Sequence, residues 1–159
     1  MDRSPSPSTI GVRAVDVDDP EAVRLLDGYF AELRERFGAF DPPSREELRA
    51  DARRGIVLVA YENGIAVACG SLRRLEAGTA EVKRMFVVAE ARGRGHGRTL
   101  LRALEDAARS MGCRAVVLDT AAVLEEAARM YLRAGYDEIP RYNDNPYAAR
   151  WFRKALAES

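Results

Sequence analysis

ARGRGHGRTLL, residues 91–101, places three glycines and three arginines around one histidine before the sequence turns apolar. It lies between a β-rich run at 79–88 and apolar residues at helical spacing over 97–111. The first N–H groups of a helix have no partner within it, and the helix dipole makes that end positive. The stretch therefore predicts an anion site suited to phosphate or pyrophosphate, although a solvated arginine-rich loop would have the same local composition.

Composition and charge limit the classes of protein to consider. The chain has 159 residues, 47% hydrophobic and 31% charged, with a formal net charge of zero. These values are typical of a soluble globular domain without an overall field for nucleic acid or anionic membranes, so neither is an expected partner. Cys69 and Cys113 form no CxxC pair, which favours a reducing cytoplasm. One histidine and no clustered cysteines predict no metal site.

Turn and cap signals divide the chain into one domain at 10–159 after a disordered tail at 1–9. The expected order is β-α-α-β-β-β-α-β-α-β-β. Expected strands are 10–15, 56–61, 65–75, 79–88, 115–119, 136–142 and 149–156, and expected helices are 19–37, 44–54, 97–111 and 123–134. Hairpins imply antiparallel pairing, and the β-α-β unit over 79–119 implies one parallel pair. The predicted fold is α+β: a mixed, mostly antiparallel sheet of six to seven strands flanked by about four helices.

Two other phosphate-binding motifs do not fit the opening stretch. A dinucleotide fingerprint GxGxxG starting at Gly93 needs glycine at 98, where the chain has Arg98. A P-loop starting at Gly93 needs glycine and lysine at 98 and 99, which are Arg98 and Thr99. Asp119 ends the next strand, where a ribose-binding acid would lie, but only 40 residues follow it, too few for a doubly wound domain. A nucleotide-binding module is therefore disfavoured.

A longer segment around the same stretch, VKRMFVVAEARGRGHGRTLLRAL at 82–104, resembles the acetyl-CoA-binding motif of the GNAT superfamily of N-acetyltransferases. The family pattern [RQ]xxGx[GA] is met by Arg92, Gly95 and Gly97. The order of elements from 10 to 156 is also similar to the mixed sheet of that family. A small bacterial-type member of the superfamily is therefore indicated.

A second family feature lies in ARMYLRAGY, residues 128–136, where a tyrosine is followed four residues later by a glycine and an aromatic residue. Tyr131, Gly135 and Tyr136 meet it. Two motifs at this spacing, within this order of elements, make the resemblance specific. It implies transfer of an acetyl group from acetyl-CoA to a primary amine, by direct attack in a ternary complex.

The resemblance also implies which residues bind acetyl-CoA. The loop at 92–98 would hold the pyrophosphate, and the backbone around 85–88 would pair with the pantetheine arm like an added strand. The implied cofactor-binding residues are Phe86, Val87, Val88, Arg92, Gly93, Arg94, Gly95, His96, Gly97 and Arg98.

Catalytic residues follow from the same comparison. Tyr131 is the candidate acid beside the CoA sulfur, although a core-facing tyrosine would show the same helical spacing. Glu81 is the candidate base, with Asp119 as a weaker rival; a solvated strand glutamate beside Lys83 is the alternative. His96 lies in the phosphate loop and is not expected to be catalytic.

The acceptor side is less specified by the sequence. Asp41, Tyr142, Asn143 and Asp144 are candidate acceptor contacts, although Asn and Asp are turn formers in any case. Leu124 stands where many relatives carry an asparagine that contacts the cofactor, so either that contact is made otherwise or acetyl positioning differs. A small-molecule amine is the expected acceptor. A non-catalytic acyl-CoA sensor, a protein or peptide amine acetyltransferase, and a homodimer all stay open.

Overall fold

A computed structural model describes residues 9–76, 78–122 and 124–157. Over these residues the chain forms seven strands, four α-helices and a 3₁₀ turn at Ala89–Ala91. The strands are β1 (Ile10–Val15), β2 (Gly55–Glu62), β3 (Ile65–Glu76), β4 (Thr79–Val87), β5 (Ala115–Thr120), β6 (Asp137–Ile139) and β7 (Arg150–Ala155), and the helices are α1 (Pro20–Phe37), α2 (Arg45–Arg53), α3 (His96–Ser110) and α4 (Glu125–Arg133). Of the expected tail, residues 1–8 lie outside the described ranges, whereas the Thr9 N–H donates to Asn63 Oδ1 at 3.0 Å.

The sheet runs in the order β1-β2-β3-β4-β5-β7-β6. Neighbours are antiparallel except for β4 and β5, which are parallel. This confirms the predicted α+β class with a mixed, mostly antiparallel sheet. The hairpin between β2 and β3 turns at Asn63 and Gly64, whose φ values of 52° and 83° are those that a tight hairpin turn requires.

Each face of the sheet carries its own hydrophobic core. On one face, Leu25, Leu26 and Phe30 of α1 and Leu48 of α2 pack on the central strands. On the other face, α3 contributes the fully buried Leu100, Leu101 and Leu104, and α4 packs beside it. Both cores therefore fix β4, which lies in the middle of the sheet, from above and below. In the described part of the chain, none of the helices is long and apolar enough to cross a membrane.

Caps place the helices where the sequence predicts them, with one shift. The Asp19 side chain accepts a hydrogen bond from the Glu21 N–H at 2.9 Å, and Pro20 opens α1. The Ser44 hydroxyl accepts from the Glu47 N–H at 3.1 Å and caps α2. The expected helix 123–134 begins later, at Glu125, because the capping residue Leu124 has a non-helical backbone (φ −105°, ψ 55°); Val123 lies outside the described residues.

The expected strand at 136–142 is wrong over more than half its length. Strand β6 spans Asp137–Ile139 and pairs with β7 at the edge of the sheet. Pro140 follows directly, and since proline has no N–H to donate it ends the ladder. The chain then crosses the end of the sheet as a loop at 140–149, which approaches the site described below.

Strands β4 and β5 separate after a short paired region. They pair over three residues, Thr79–Glu81 against Ala115–Val117. Further along β4, the register with β3 slips between Cys69↔Phe86 and Ser71↔Lys83, so β4 carries one extra residue there. Arg84 lies in this bulge with a positive φ of 56°. Because a bulge bends its strand, β4 turns away from β5 and the sheet opens between them.

Candidate functional site

A cavity of about 330 Å³ lies at the opening between β4 and β5. Its walls come from α1, α2, α4, both separated strands and the loops at 38–44 and 140–149. Lining residues include Lys83 and Met85 of β4, Asp119 of β5 and Tyr131 of α4. Segments far apart in the sequence therefore meet around one concave space at the centre of the fold.

Tyr131 lines this cavity and is also part of the core. Its side chain is 6% exposed, and its ring lies 5.9 Å from that of Tyr136 and 5.8 Å from that of Phe152. The hydroxyl donates to Met85 Sδ at 3.8 Å, and a thioether is a weak acceptor. Burial raises the pKa of Tyr131 above its usual value of 10.0, and the nearby Tyr29 and Asp119 raise it further. Tyr131 therefore keeps its proton at neutral pH and holds it weakly bonded.

Glu81 is buried beside the cavity and does not line it. Its side chain is 1% exposed; Oε1 accepts from Arg73 Nε at 2.9 Å and Oε2 from the Tyr142 hydroxyl at 2.6 Å. Burial and the bond to Glu81 raise the pKa of Tyr142. Both carboxylate oxygens are thus already occupied by protein donors.

Asp119 does line the cavity. Its Oδ2 accepts from Asn143 Nδ2 at 2.6 Å and its Oδ1 from Asn145 Nδ2 at 3.1 Å. Both donors are neutral amides, and within the described ranges no cation forms an ion pair with this carboxylate. Two hydrogen bonds orient Asp119 at the cavity wall, and its charge interacts at longer range with that of Lys83.

Asn143 connects these two carboxylates. Its amide nitrogen donates to Asp119 and, at 3.4 Å, to Glu81 Oε2, while its oxygen accepts from Trp151 Nε1 at 2.9 Å. Of the expected acceptor contacts, Asp41 lines the cavity, whereas Tyr142 and Asn143 are bound to Glu81 and Asp119. The Asp144 side chain is fully exposed and pairs with Arg141 at 3.1 Å.

Sequence reasoning missed the aromatic wall of the cavity. The rings of Phe37 and Phe40 lie 5.3 Å and 4.7 Å from that of Tyr147, and Phe40 also stacks on Phe30 at 5.9 Å. The Asp41 N–H donates to the Tyr147 hydroxyl at 3.3 Å, so the wall joins the two loops. The sequence feature that could have indicated this wall is the presence of large rings at 37–40 and at 147, within segments rich in turn-forming residues.

The glycine-arginine loop, residues 92–98, has open space beside its backbone at Gly93 and Gly95. Gly93 and Gly95 have φ values of 83° and 82°, and a side-chain carbon built on either would meet nothing within 4 Å. Helix α3 begins at His96 after Gly95, with no side-chain cap and no acidic residue in its first turn. Arg98 is exposed in that turn, with no ion pair or hydrogen bond to any described residue. The N–H groups of this turn therefore face open space beside an unpaired cation.

The other two arginines of the loop are engaged. Arg92 pairs with Glu32 at 2.6 Å and donates to the Val87 carbonyl at 2.9 Å. Arg94 pairs with Glu62 at 2.6 Å. Both belong to the expected cofactor-binding set, and that assignment stays a prediction.

His96 differs from its neighbours because its side chain points inward. It is 1% exposed, and both ring nitrogens lack a hydrogen-bond partner in the described structure. Its Nε2 lies 3.6 Å from Glu62 Oε1, beyond hydrogen-bond range. Only the backbone of His96 is placed to contact a ligand at the loop.

Comparison with known proteins gives the family. A family model described as the acetyltransferase (GNAT) family matches residues 23–136, well over half of the chain. The chain therefore belongs to the GNAT acetyltransferase family. This confirms the resemblance seen in the motifs at 82–104 and 128–136.

Individual relatives agree with this assignment. The chain is 41% identical over 80 residues to an IAA acetyltransferase of Azospirillum brasilense, covering 50% of this chain and 52% of that protein. It spans about half the length of the curated relatives that it matches. A Staphylococcus aureus GNAT acetyltransferase matches with TM-score 0.79 at 18% identity, covering 94% and 100% of the two chains. An Elizabethkingia anophelis GNAT acetyltransferase with acetyl-CoA bound matches with TM-score 0.70 at 17% identity, covering 92% and 98%.

The hydrogen bonds of Asn143 predict a stability effect. Asn143→Ala would leave the Trp151 indole N–H and one oxygen of Asp119 without their partners, so we expect the free energy of unfolding to fall by about 1–3 kcal/mol. Urea denaturation measures this change. Asp144→Ala is the matched control, since an exposed pair with Arg141 contributes little. Equal stability of the two variants would show that the Asn143 bridge does not stabilise the site.

Proposed function

We propose that the protein is an N-acetyltransferase that moves the acetyl group of acetyl-CoA to a primary amine of a small molecule. The observation that carries the proposal is the free edge of β4. It runs from the cavity at Val82–Met85 to the glycine-arginine loop that follows Val87. Family membership and the name of the Azospirillum relative support the same activity.

The glycine-arginine loop would hold the pyrophosphate of acetyl-CoA. Its open space at Gly93 and Gly95, the unpaired N–H groups of α3 and the exposed Arg98 suit such an anion. Arg92 and Arg94 would border it, and the backbone of Phe86–Val88 would pair with the pantetheine arm. Bound acetyl-CoA would supply an activated acetyl group, held as a thioester.

Removal of Arg98 tests this placement. Because a hydrogen bond to a charged group contributes about 1.5–3 kcal/mol, we expect Arg98→Ala to weaken CoA binding about tenfold or more in calorimetry. Arg102→Ala is the matched control, an exposed arginine one turn further along α3. Equal loss in both variants would point to general charge rather than a phosphate site, and no CoA binding by the wild type would remove the proposed function.

Tyr131 would act as the acid. As the acceptor nitrogen bonds to the acetyl carbon, the bond from that carbon to sulfur breaks, and the departing sulfur needs a proton. A phenol is protonated at neutral pH, and the weak bond of the Tyr131 hydroxyl to Met85 leaves that proton available. The core position of the ring fixes its orientation.

The acid role of Tyr131 predicts a loss of turnover without a loss of binding. We expect Tyr131→Phe to lower kcat by about 10²-fold, the lower end of what general acid catalysis contributes, while the Kd for CoA stays the same. Tyr61→Phe is the control, since that ring packs under Arg13 at 4.1 Å and does not line the cavity. Unchanged kcat in Tyr131→Phe would exclude the acid role, and a wild type that binds CoA without turnover would favour the sensor alternative.

The base is Asp119 in this proposal, rather than Glu81. An amine in the cavity would reach the Asp119 carboxylate, which forms hydrogen bonds with two neutral amides and no close ion pair with any described residue. Glu81 would instead hold Tyr142 and, through Asn143, help to position Asp119. Asp119 of β5 would then remove a proton from the acceptor amine, directly or through a water molecule.

Replacing each carboxylate by its amide distinguishes the roles of Asp119 and Glu81. We expect Asp119→Asn to lower kcat/KM by about 10²-fold because the proton acceptor is lost. Glu81→Gln would chiefly lower the melting temperature, because Arg73 would lose one of its two carboxylate partners. Steady-state kinetics and thermal denaturation of both variants check this division. A larger fall in kcat/KM for Glu81→Gln, at matched folded fraction, would restore Glu81 as the base.

Three further features complete the proposal. The cavity volume suits a small acceptor better than a protein segment. Cys69 and Cys113 are both free and buried, which suits the cytoplasm. A homodimer rests on the family resemblance alone, and nucleic acid and membranes are not proposed as partners.

A further inference from the structure

Lys83 lines the cavity next to a cluster of paired charges. Asp51 lies between Arg73 and Arg84 at 2.8 Å and 2.9 Å, and Arg73 also binds Glu81 at 2.8 Å. These two carboxylates and two guanidiniums already balance each other.

Lys83 is the third cation of this cluster. Its one ion pair in the described structure is a 3.9 Å contact with Glu81, whose oxygens already accept from Arg73 and Tyr142. Its side chain is 24% exposed and lines the cavity. A partly buried charge that is so loosely paired favours an anion beside it.

The ionisation of Lys83 agrees with this geometry. Burial lowers its pKa, and the nearby carboxylates Glu81 and Asp119 oppose that effect only in part. Arg84 and Arg73 add repulsion in the same direction as burial. An anion bound in the cavity would therefore stabilise the protonated form of Lys83.

Lys83 and Asp119 lie at the same level on neighbouring strands. The last paired residues of β4 and β5 are Glu81 and Val117. Lys83 lies two positions after Glu81, and Asp119 lies two positions after Val117. One wall of the opening therefore presents a cation and the other a carboxylate. Asp41 and Glu47 also line the cavity, but both are exposed, so solvent and salt screen their charges.

We propose that the acceptor is an amino acid or a similar amine that also carries a carboxylate and has an apolar or aromatic body. Its amine would lie at Asp119, its carboxylate at Lys83, and its side chain against the rings of Phe37, Phe40 and Tyr147. The amino and carboxylate groups of an amino acid are attached to one carbon, which suits charges at one level on neighbouring strands. This inference names the substrate class of the proposed acetyltransferase and rests on that function.

Matched pairs of ligands that differ only in the carboxylate test the proposal. The pairs are L-phenylalanine with phenethylamine, L-tryptophan with tryptamine and L-leucine with isopentylamine. Calorimetry of the full chain with CoA present gives the Kd of each, without requiring turnover. Because an ion pair with a desolvated lysine favours the carboxylate, we expect at least one amino acid to bind about tenfold or more tightly than its partner amine.

Two substitutions then assign the preference to Lys83. We expect Lys83→Met to bring the ratio of the two Kd values close to one, and Lys83→Arg to keep part of the preference because it keeps the charge. Circular dichroism and CoA binding of each variant show that the fold and the loop are intact. A preserved ratio in a folded Lys83→Met variant would overturn the proposal.

The remaining outcomes are also decisive. Binding by none of the amino acids, or tighter binding of the amines, would overturn the proposal. Failure of the acetyltransferase function would show separately, as absence of acetyl-CoA binding or of turnover with any amine. A carboxylate preference without turnover would show that the cavity binds amino acids and would overturn their role as acceptors.

Discussion

The short pairing between β4 and β5 is the constraint on which the rest of the structure depends. Strand β5 pairs with β7 along its whole length, from Ala115 to Thr120, and its direction is therefore fixed. Strand β4 is bent by the bulge at Arg84 and separates from β5 after Glu81. A sheet whose two central strands were fully paired would have neither the cavity nor a free edge beside the glycine-arginine loop.

Buried charges hold the separated strands in place. Glu81 receives hydrogen bonds from Arg73 on β3 and from Tyr142 on the loop at 140–149. Asn143 extends this network to Asp119 and Trp151. Ion pairs in such positions add little net stability, because desolvation offsets their attraction. Their value here is geometric, since each group has one arrangement in which all partners are satisfied.

The two ends of the opening differ in chemistry because they are built differently. The glycine-arginine loop is one continuous segment that relies on backbone N–H groups, open space at two glycines and the exposed Arg98. The cavity is assembled from separate segments and combines an aromatic wall with a cation and a carboxylate. The glycine-arginine loop therefore suits a ligand that does not change, whereas substitutions of side chains alone can change which ligand the cavity accepts.

The sequence by itself determined the features that depend on neighbouring residues. Cap residues, the turn at Asn63 and Gly64, strand alternation and the glycine spacing after β4 predicted the order of elements, the fold class and the loop, because local backbone geometry follows from local sequence. Strand β6 was overestimated because the apolar and aromatic pattern at 136–142 does not show that the chain leaves the sheet after Pro140.

Tertiary structure alone decided the character of the cavity. Glu81 and Asp119 are both strand carboxylates in the sequence, and only packing buries the first under Arg73 and Tyr142 and leaves the second facing the cavity. The exposure of Lys83 and the meeting of Phe37, Phe40 and Tyr147 likewise depend on contacts between residues far apart in the chain. Burial and charge pairing are properties of three-dimensional neighbours, so no spacing along one chain specifies them.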